Sequence, residues 1–291
     1  MRPKVYVALP ARPGENMALG LHFALEPQRM GEGFDIVGPR SLPCSMLPLS
    51  FNMLWCEALN SRSTGITHFV MVHSDVVPQG DRWLQNALDV HRRSGGDITS
   101  SVIAIKDTRG QSSTGVMNIE TREMRKLTLA ECHGIGKKTF NAADAGFPGH
   151  CLLMNTGLLV CDFTKPWVEK MCFRFHDHVV KQSDGMWRAA CVGEDWLFSI
   201  DAWRLGLKTF VTLEIPIHHL GVYEYPNEVA WGTKEADTSF AWNIEPPASW
   251  NWQESPIRNI ERQAIKDAEI DRLNNIADSF GDEETLEVLA S

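Results

Sequence analysis

The chain has 291 residues, 43% of them hydrophobic, and its 28 basic and 37 acidic side chains give it a net charge of −9. This apolar content excludes a disordered chain and suffices for one substantial core or two small ones. The apolar stretches fall short of the roughly 18 to 20 residues that span a bilayer, and residues 5–9 are too short for a signal peptide. We therefore expect a cytoplasmic protein without a membrane partner.

The first half of the chain alternates between apolar strand patterns and amphipathic helix patterns. In chain order we predict a strand at 4–9, a helix at 16–30, a strand at 34–37, a helix at 50–60, a strand at 67–73, a helix at 81–93 and a strand at 97–105. Such alternation is typical of an α/β fold, in which a mixed, mainly parallel sheet is flanked by helices.

The second half of the chain is less regular. A strand-like run at 151–162 is interrupted at 155–157. A helix is predicted at 193–205 and a strand at 207–217. The composition then shifts to Trp, Pro and Asn, which predicts a Trp-rich loop region at 231–252.

The C-terminal segment carries most of the net charge. Residues 267–291 hold eight acids and one base, so −7 of the net charge lies there and the rest of the chain carries only about −2. We therefore divide the chain into a body, residues 1–255, and a C-terminal helix with an acidic, mobile tail, residues 256–291. The body has no basic excess that would indicate nucleic-acid binding.

One candidate site residue is Asp75, in the segment His73-Ser74-Asp75 at the carboxyl end of the strand predicted at 67–73. In open α/β sheets, ligands bind in the crevice outside the carboxyl ends of the strands. Mg²⁺ and Mn²⁺ prefer carboxylate oxygen and share their coordination sphere with ligand phosphates, so Asp75 could anchor such a metal. The alternative is an Asp that only caps the turn after the strand.

Two further candidates lie later in the chain. Glu194 and Asp195 occupy the first turn of a predicted helix, where the helix dipole alone also favours acids. His218 and His219 close the next strand. Because neighbours in an extended segment point to opposite sides, at most one of these histidines should face a given site. The alternative for the pair is an incidental position without a ligand.

Taken in order, Asp75, the Glu194-Asp195 pair and His219 resemble the arrangement in nucleotide-sugar-dependent glycosyltransferases of the GT-A fold. Further segments are similar to phage and bacterial members of this superfamily: 67–78, 105–110 with Ser113 and Thr114, and 153–159. The resemblance covers residues 4–222 and leaves out the Trp-rich end. It implies a Rossmann-like GT-A domain in the body of the chain.

The resemblance also implies roles for individual residues. A DxD-type motif binds the metal and the nucleotide diphosphate, and here His73 replaces its first Asp, which affects the ribose contact more than the metal contact. Asp75 and His219 would ligate Mn²⁺ or Mg²⁺. Asp195 would be the catalytic base, with Glu194 as second choice.

The contacts to the nucleotide sugar are expected from the ends of several strands. They would come from Pro10, Arg12, His73, Ser74, Lys106, Asp107, Asn155, Thr156 and Gly157. Ordinary turn chemistry is the alternative for each of them.

The resemblance implies a hexosyl- or pentosyltransferase that uses a nucleotide sugar, with a UDP-sugar as the favoured donor. The favoured acceptor is a hydroxymethylated pyrimidine of the 5-hydroxymethylcytosine type in phage DNA, which would place this DNA modification in the host cytoplasm. Carbohydrate and glycolipid acceptors stay open, as do the donor sugar, the inverting or retaining outcome and the oligomeric state.

Two alternatives come from other functional classes. One is a sugar-binding module without catalysis. The other is a zinc hydrolase built on His176 and His178, which lie on one side of a predicted strand but have no third ligand at matching spacing. The segment 110–115 could cradle a phosphate, but it lacks the Gly-Lys-Ser/Thr ending of a P-loop.

Overall fold

The structure is a computed structural model that describes residues 2–12, 33–221 and 224–231. Its strands, numbered in chain order, are β1 Lys4–Ala11, β2 Asp35–Pro43, β3 His68–Val72, β4 Val76–Pro78, β5 Ile98–Ser101, β6 Gln111–Met117, β7 Met124–Thr128, β8 Thr139–Phe140, β9 Cys151–Leu153, β10 Leu158–Asp162, β11 His176–Lys181, β12 Trp187–Val192, β13 Thr209–Thr212, β14 Ile217–Leu220 and β15 Glu224–Pro226. Its α-helices are α1 Leu47–Asn60, α2 Trp83–Ser94, α3 Leu129–Gly134 and α4 Glu194–Arg204.

Seven strands form the central sheet in the order β2-β1-β3-β10-β5-β13-β8. The pairs β1–β2, β1–β3 and β5–β13 are parallel. β10 runs antiparallel to both β3 and β5, and β8 runs antiparallel to β13. Five strands therefore run in one direction and two in the other. The predicted mixed, mainly parallel sheet flanked by helices is confirmed.

The alternation of side chains along the inner strands builds a core on each face of this sheet. In β1, Tyr6 and Ala8 belong to one buried cluster, and Val5 and Val7 belong to the other. The first cluster includes residues of α1 and α4, and the second includes residues of α2. Because strands buried on both faces carry apolar residues at every position, β1 and β3 read as continuous apolar runs in the sequence.

The described residues also form three smaller antiparallel units. β4, β14 and β15 form one three-stranded sheet with β14 in the middle, and β7, β6 and β9 form another with β6 in the middle. β11 and β12 form a two-stranded hairpin. The β4–β14 pairing matters most for the site, because it joins the segment after β3 to the chain after β13.

Several predicted elements differ from the structure in their limits. The strand predicted at 97–105 ends at Ser101, and the strand predicted at 207–217 ends at Thr212. The run at 151–162 is divided between two sheets, because β9 pairs with β6 and β10 pairs with β3. Apolar composition continues through these bends, so it does not reveal where backbone pairing stops.

Other predictions lie outside the described residues. These are the helix at 16–30, the Trp-rich region after Trp231, and the C-terminal helix and acidic tail. The proposed limit between a body and a tail at residue 255 therefore stays a prediction. Among the helices that the structure describes, none is long and apolar enough to cross a membrane.

Candidate functional site

Asp75 and His219 meet at the edge of the central sheet where the parallel strands end. Asp75 follows β3 directly and precedes β4, and His219 lies opposite Val76 in the β4–β14 pair. The Leu220 backbone N–H donates to the Asp75 carbonyl at 2.7 Å. The Asp75 Oδ2 atom lies 3.5 Å from His219 Nε2. Strand pairing therefore brings two residues together that are far apart in the sequence.

The orientation of the His219 ring is set by a backbone carbonyl. The ring Nδ1 lies 2.7 Å from the Ala104 carbonyl oxygen, which can only accept, so Nδ1 carries a hydrogen. Nε2 faces Asp75: it presents a lone pair in the neutral ring, and it donates to the carboxylate only when the ring is protonated. Metal-bound histidines commonly donate their second ring N–H to a carbonyl in this way.

His218 lies on the other side of β14. Its Nδ1 is 2.9 Å from a Glu224 carboxylate oxygen, and its Nε2 is 3.1 Å from a Glu228 carboxylate oxygen. His218 and His219 therefore point to opposite sides of the strand, as expected for neighbours in an extended segment. Of the two histidines, His219 is the one that faces Asp75.

Lys106 shares the carboxylate of Asp75. Its Nζ donates to Asp75 Oδ2 at 2.5 Å. Burial raises the pKa of Asp75, but the His219 ring and the Lys106 ammonium that hydrogen-bond to it outweigh burial and hold that pKa well below its usual range. Asp75 is therefore an anion at neutral pH. Lys106 was predicted to contact the donor sugar, and its pairing with Asp75 was not predicted.

Asp75 and His219 are suitably placed to be two protein ligands of one divalent cation. Metal–ligand distances for carboxylate oxygen and imidazole nitrogen are roughly 2.1 Å, so two atoms 3.5 Å apart can share one cation. Within residues 2–12, 33–221 and 224–231, no group of three His, Cys, Asp or Glu side chains is placed to hold a metal. Mg²⁺ is often bound by one or two carboxylates with phosphates and waters completing its sphere, so a two-ligand site is adequate.

The acidic pair lies at the beginning of α4. Gly193 is the N-cap residue, and Asp195 Oδ1 accepts a hydrogen bond from the Trp196 backbone N–H at 2.8 Å. Burial and the neighbouring Glu194 carboxylate raise the pKa of Asp195 to about 7. Burial also raises the pKa of Glu194, and the Arg12 guanidinium opposes that shift. A carboxylate that titrates near neutral pH is suited to accept a proton.

A basic group near Asp195 was missed in the sequence. Lys126, in β7, lies over the Trp196 ring with its Nζ 5.7 Å from the ring centroid. Burial and the Arg109 guanidinium lower the pKa of Lys126, and the carboxylates of Asp195 and Asp107 oppose them. No local pattern marks Lys126, because only the folded β6–β7 hairpin carries it towards α4. The Asp107 carboxylate is itself paired with Arg109.

The segment Asn155-Thr156-Gly157 lies beside His73 at the same edge. The His73 backbone N–H donates to the Gly157 carbonyl at 2.9 Å, and Thr156 Oγ1 lies 3.5 Å from His73 Nε2. A Cβ on Gly157 would lie 2.7 Å from Asn155 Oδ1 and from Ile103 Cδ1. The glycine therefore allows close packing of the protein itself, and its predicted contact with the nucleotide sugar stays a prediction.

The remaining predicted donor contacts are Pro10, Arg12 and Ser74. Pro10 is buried near the end of β1, and Arg12 is exposed just after it. Ser74 stands between His73 and Asp75, partly exposed. The charge of Arg12 acts on Glu194, which links the end of β1 to the acidic pair. The roles proposed for all these residues stay predictions.

Two other features lie away from Asp75. His176 and His178 lie on β11 with ring centroids 5.9 Å apart, and no third metal-ligand residue joins them in the described part of the chain. A cleft of about 690 Å³ lies at the opposite edge of the sheet, where the parallel strands begin, with His68, His91 and Asp162 among its lining residues. Neither feature includes a predicted site residue of the glycosyltransferase interpretation.

The matches of this chain to known proteins are to solved structures. No protein-family model and no curated protein matches the chain. It is similar to the solved structure of A197 from STIV, with a TM-score of 0.41 and 12% identity over 75% of this chain and 86% of that chain. It is also similar to a Bacillus anthracis protein assigned as a glucose-1-phosphate thymidylyltransferase and solved in complex with a sucrose. There the TM-score is 0.24, with 15% identity over 55% of this chain and 56% of that chain.

Proposed function

We propose that this protein is a glycosyltransferase of the GT-A type, which transfers a sugar from a UDP-sugar to an acceptor hydroxyl with the help of Mn²⁺ or Mg²⁺. The observation that carries the proposal is the convergence of Asp75 Oδ2 and His219 Nε2 at 3.5 Å. They converge at the carboxyl edge of a mainly parallel sheet, which is where open α/β sheets bind ligands.

Each group has a task in this proposal. Asp75 and His219 would hold the metal, which supplies Lewis-acid stabilisation of the negative charge on the departing diphosphate. Asp195 accepts the proton of the acceptor hydroxyl, and its pKa of about 7 keeps a large fraction ionised at neutral pH while leaving it basic enough to react. The ammonium of Lys126 lies within electrostatic range of the Asp195 carboxylate and favours its ionised form.

The histidine pair offers a matched test of the metal site. We expect His219→Gln and Asp75→Asn to lower the release of nucleoside diphosphate from a panel of nucleotide sugars by at least about 100-fold, since a lost metal ligand removes transition-state stabilisation. His218→Gln is the control, because His218 faces the opposite side of β14. Full activity in excess EDTA, or equal loss in both histidine variants, would contradict the metal role.

For the acceptor we propose 5-hydroxymethylcytosine in phage DNA, which supposes a phage-encoded enzyme acting in the host cytoplasm. The similarity of three segments to phage and bacterial transferases supports this choice. The test is incubation of several nucleotide sugars with DNA that contains 5-hydroxymethylcytosine, followed by mass analysis of the nucleosides. A heavier nucleoside is expected. Diphosphate release with an unmodified base would reject the DNA acceptor and favour a carbohydrate or glycolipid.

A further inference from the structure

The ammonium of Lys106 is hydrogen-bonded to the Asp75 oxygen that would ligate a metal shared with His219. Asp75 Oδ2 accepts from Lys106 Nζ at 2.5 Å and lies 3.5 Å from His219 Nε2. A cation that bridges Asp75 and His219 through this oxygen would stand close to the ammonium of Lys106. Two positive charges a few ångströms apart repel strongly in a partly buried site. The ammonium and the metal ion therefore cannot both bind Asp75 Oδ2.

The surroundings of Lys106 allow it to move. The exposed fractions of the Lys106 and Asp75 side chains are 31% and 33%, so water reaches the ion pair from one side. A Cβ on Gly221 would lie 3.0 Å from Lys106 Cδ and 3.3 Å from the Tyr225 ring. The missing side chain of Gly221 therefore leaves the space through which the aliphatic part of Lys106 reaches Asp75. Four rotatable bonds allow the ammonium other positions at the same edge.

We propose that Lys106 occupies the metal position of the site before the donor binds, and that it moves to the donor diphosphate when a divalent cation takes Asp75. This inference rests on the proposed function, and it adds that the divalent cation replaces the Lys106 ammonium at Asp75 when the donor binds. The Lys106 ammonium neutralises Asp75 in the donor-free protein. The diphosphate offers Lys106 a new anionic partner and thereby favours binding of the metal, so donor and metal strengthen each other's binding.

Direct titration of the full chain with Mn²⁺, without any substrate, tests this proposal. We expect Lys106→Met to bind Mn²⁺ about tenfold more tightly than the wild type, because the competing ion pair is gone. UDP should raise the Mn²⁺ affinity of the wild type by more than it raises that of Lys106→Met. Free Mn²⁺ can be measured by electron paramagnetic resonance, so the result does not depend on turnover.

Three controls separate the possible explanations. Lys137→Met removes the same charge from the exposed Lys137–Asp144 ion pair and should leave Mn²⁺ affinity unchanged. Lys106→Arg keeps a cation and should bind Mn²⁺ as weakly as the wild type; tighter binding by this variant would overturn the role of the Lys106 charge, even if Lys106→Met fails to fold. His219→Gln should lose Mn²⁺ binding.

The outcomes distinguish this inference from the proposed function. Equal Mn²⁺ affinity in wild type and Lys106→Met, with loss in His219→Gln, would overturn the role of Lys106 and leave the metal site intact. Absence of Mn²⁺ binding in every variant would overturn both the role of Lys106 and the metal site. If Lys137→Met raised the Mn²⁺ affinity as much as Lys106→Met does, the change in net charge alone would explain the increase. That result would also overturn the proposal.

Discussion

At the scale of single residues, the site depends on opposite environments for two carboxylates. Asp75 is held ionised by Lys106 and His219, whereas burial and the adjacent Glu194 raise the pKa of Asp195 to about 7. Two acids with separated pKa values suit two tasks, one as a permanent anion that binds a cation and one as a base that exchanges protons. The sequence predicts both acids, because they stand at a strand end and a helix start.

The raised pKa of Asp195 predicts a pH dependence. A base must be ionised to act, so we expect the rate to fall as the pH drops below about 7. In Glu194→Gln the neighbouring negative charge is gone, the pKa of Asp195 falls, and the acidic limb of the pH–rate profile moves to lower pH. Asp195→Asn should lose activity at every pH. An unmoved limb in Glu194→Gln, measured by diphosphate release, would argue against Asp195 as the base.

At the scale of elements, short strand pairings position the site. β4 has three residues and β14 has four, yet their pairing sets the distance between Asp75 and His219. The segment between β9 and β10 is packed against β4 through Gly157, because a Cβ there would lie 3.0 Å from Val76 Cγ2. Because Gly157 directly precedes β10, this close packing fixes the position of β4, the strand that follows Asp75, relative to β10.

Substitution of Gly157 tests this packing. We expect Gly157→Ala to lower the free energy of unfolding by about 1–3 kcal/mol, since the added methyl group overlaps Ile103 and Asn155 and forces them to shift. Gly134→Ala is the matched control, because nothing lies within 4 Å of its Cβ position. Urea unfolding measures both. A loss in Gly134→Ala as large as that in Gly157→Ala would contradict the packing argument.

At the scale of the whole described body, one aromatic side chain connects α1 to the sheet and to α4. The Trp55 ring lies 4.8 Å from the Phe69 ring of β3 and 5.9 Å from the Phe198 ring of α4, measured between centroids. Its indole N–H donates to the Val168 carbonyl at 2.9 Å. The helix that begins with the acidic pair and the strand that precedes Asp75 are therefore packed on the same core.

Removal of this ring should destabilise the whole body. We expect Trp55→Ala to cost about 3–5 kcal/mol of unfolding free energy, because it leaves a large cavity and an unpaired buried carbonyl. Trp187→Ala, at a side chain that is 67% exposed, should change the unfolding free energy by about 0.5 kcal/mol or less. Denaturant unfolding followed by circular dichroism compares the two. Similar losses in both variants would contradict a central role for Trp55.

The sequence by itself determined the class of fold and placed the candidate acids at a strand end and a helix start. Apolar runs that alternate with amphipathic helices specify a mainly parallel sheet, since that is how such segments bury their apolar faces. The position of Asp75 after a strand and of Asp195 at a helix start can be read locally. These features depend on residues that are neighbours in the chain.

Only the tertiary structure decided which groups meet. The pairing of β4 with β14, the choice of His219 over His218, the contact of Lys106 with Asp75 and the approach of Lys126 to Asp195 all join segments that are distant in the sequence. Such contacts follow from strand order and register, which composition and periodicity do not encode, because many strand arrangements satisfy the same apolar pattern.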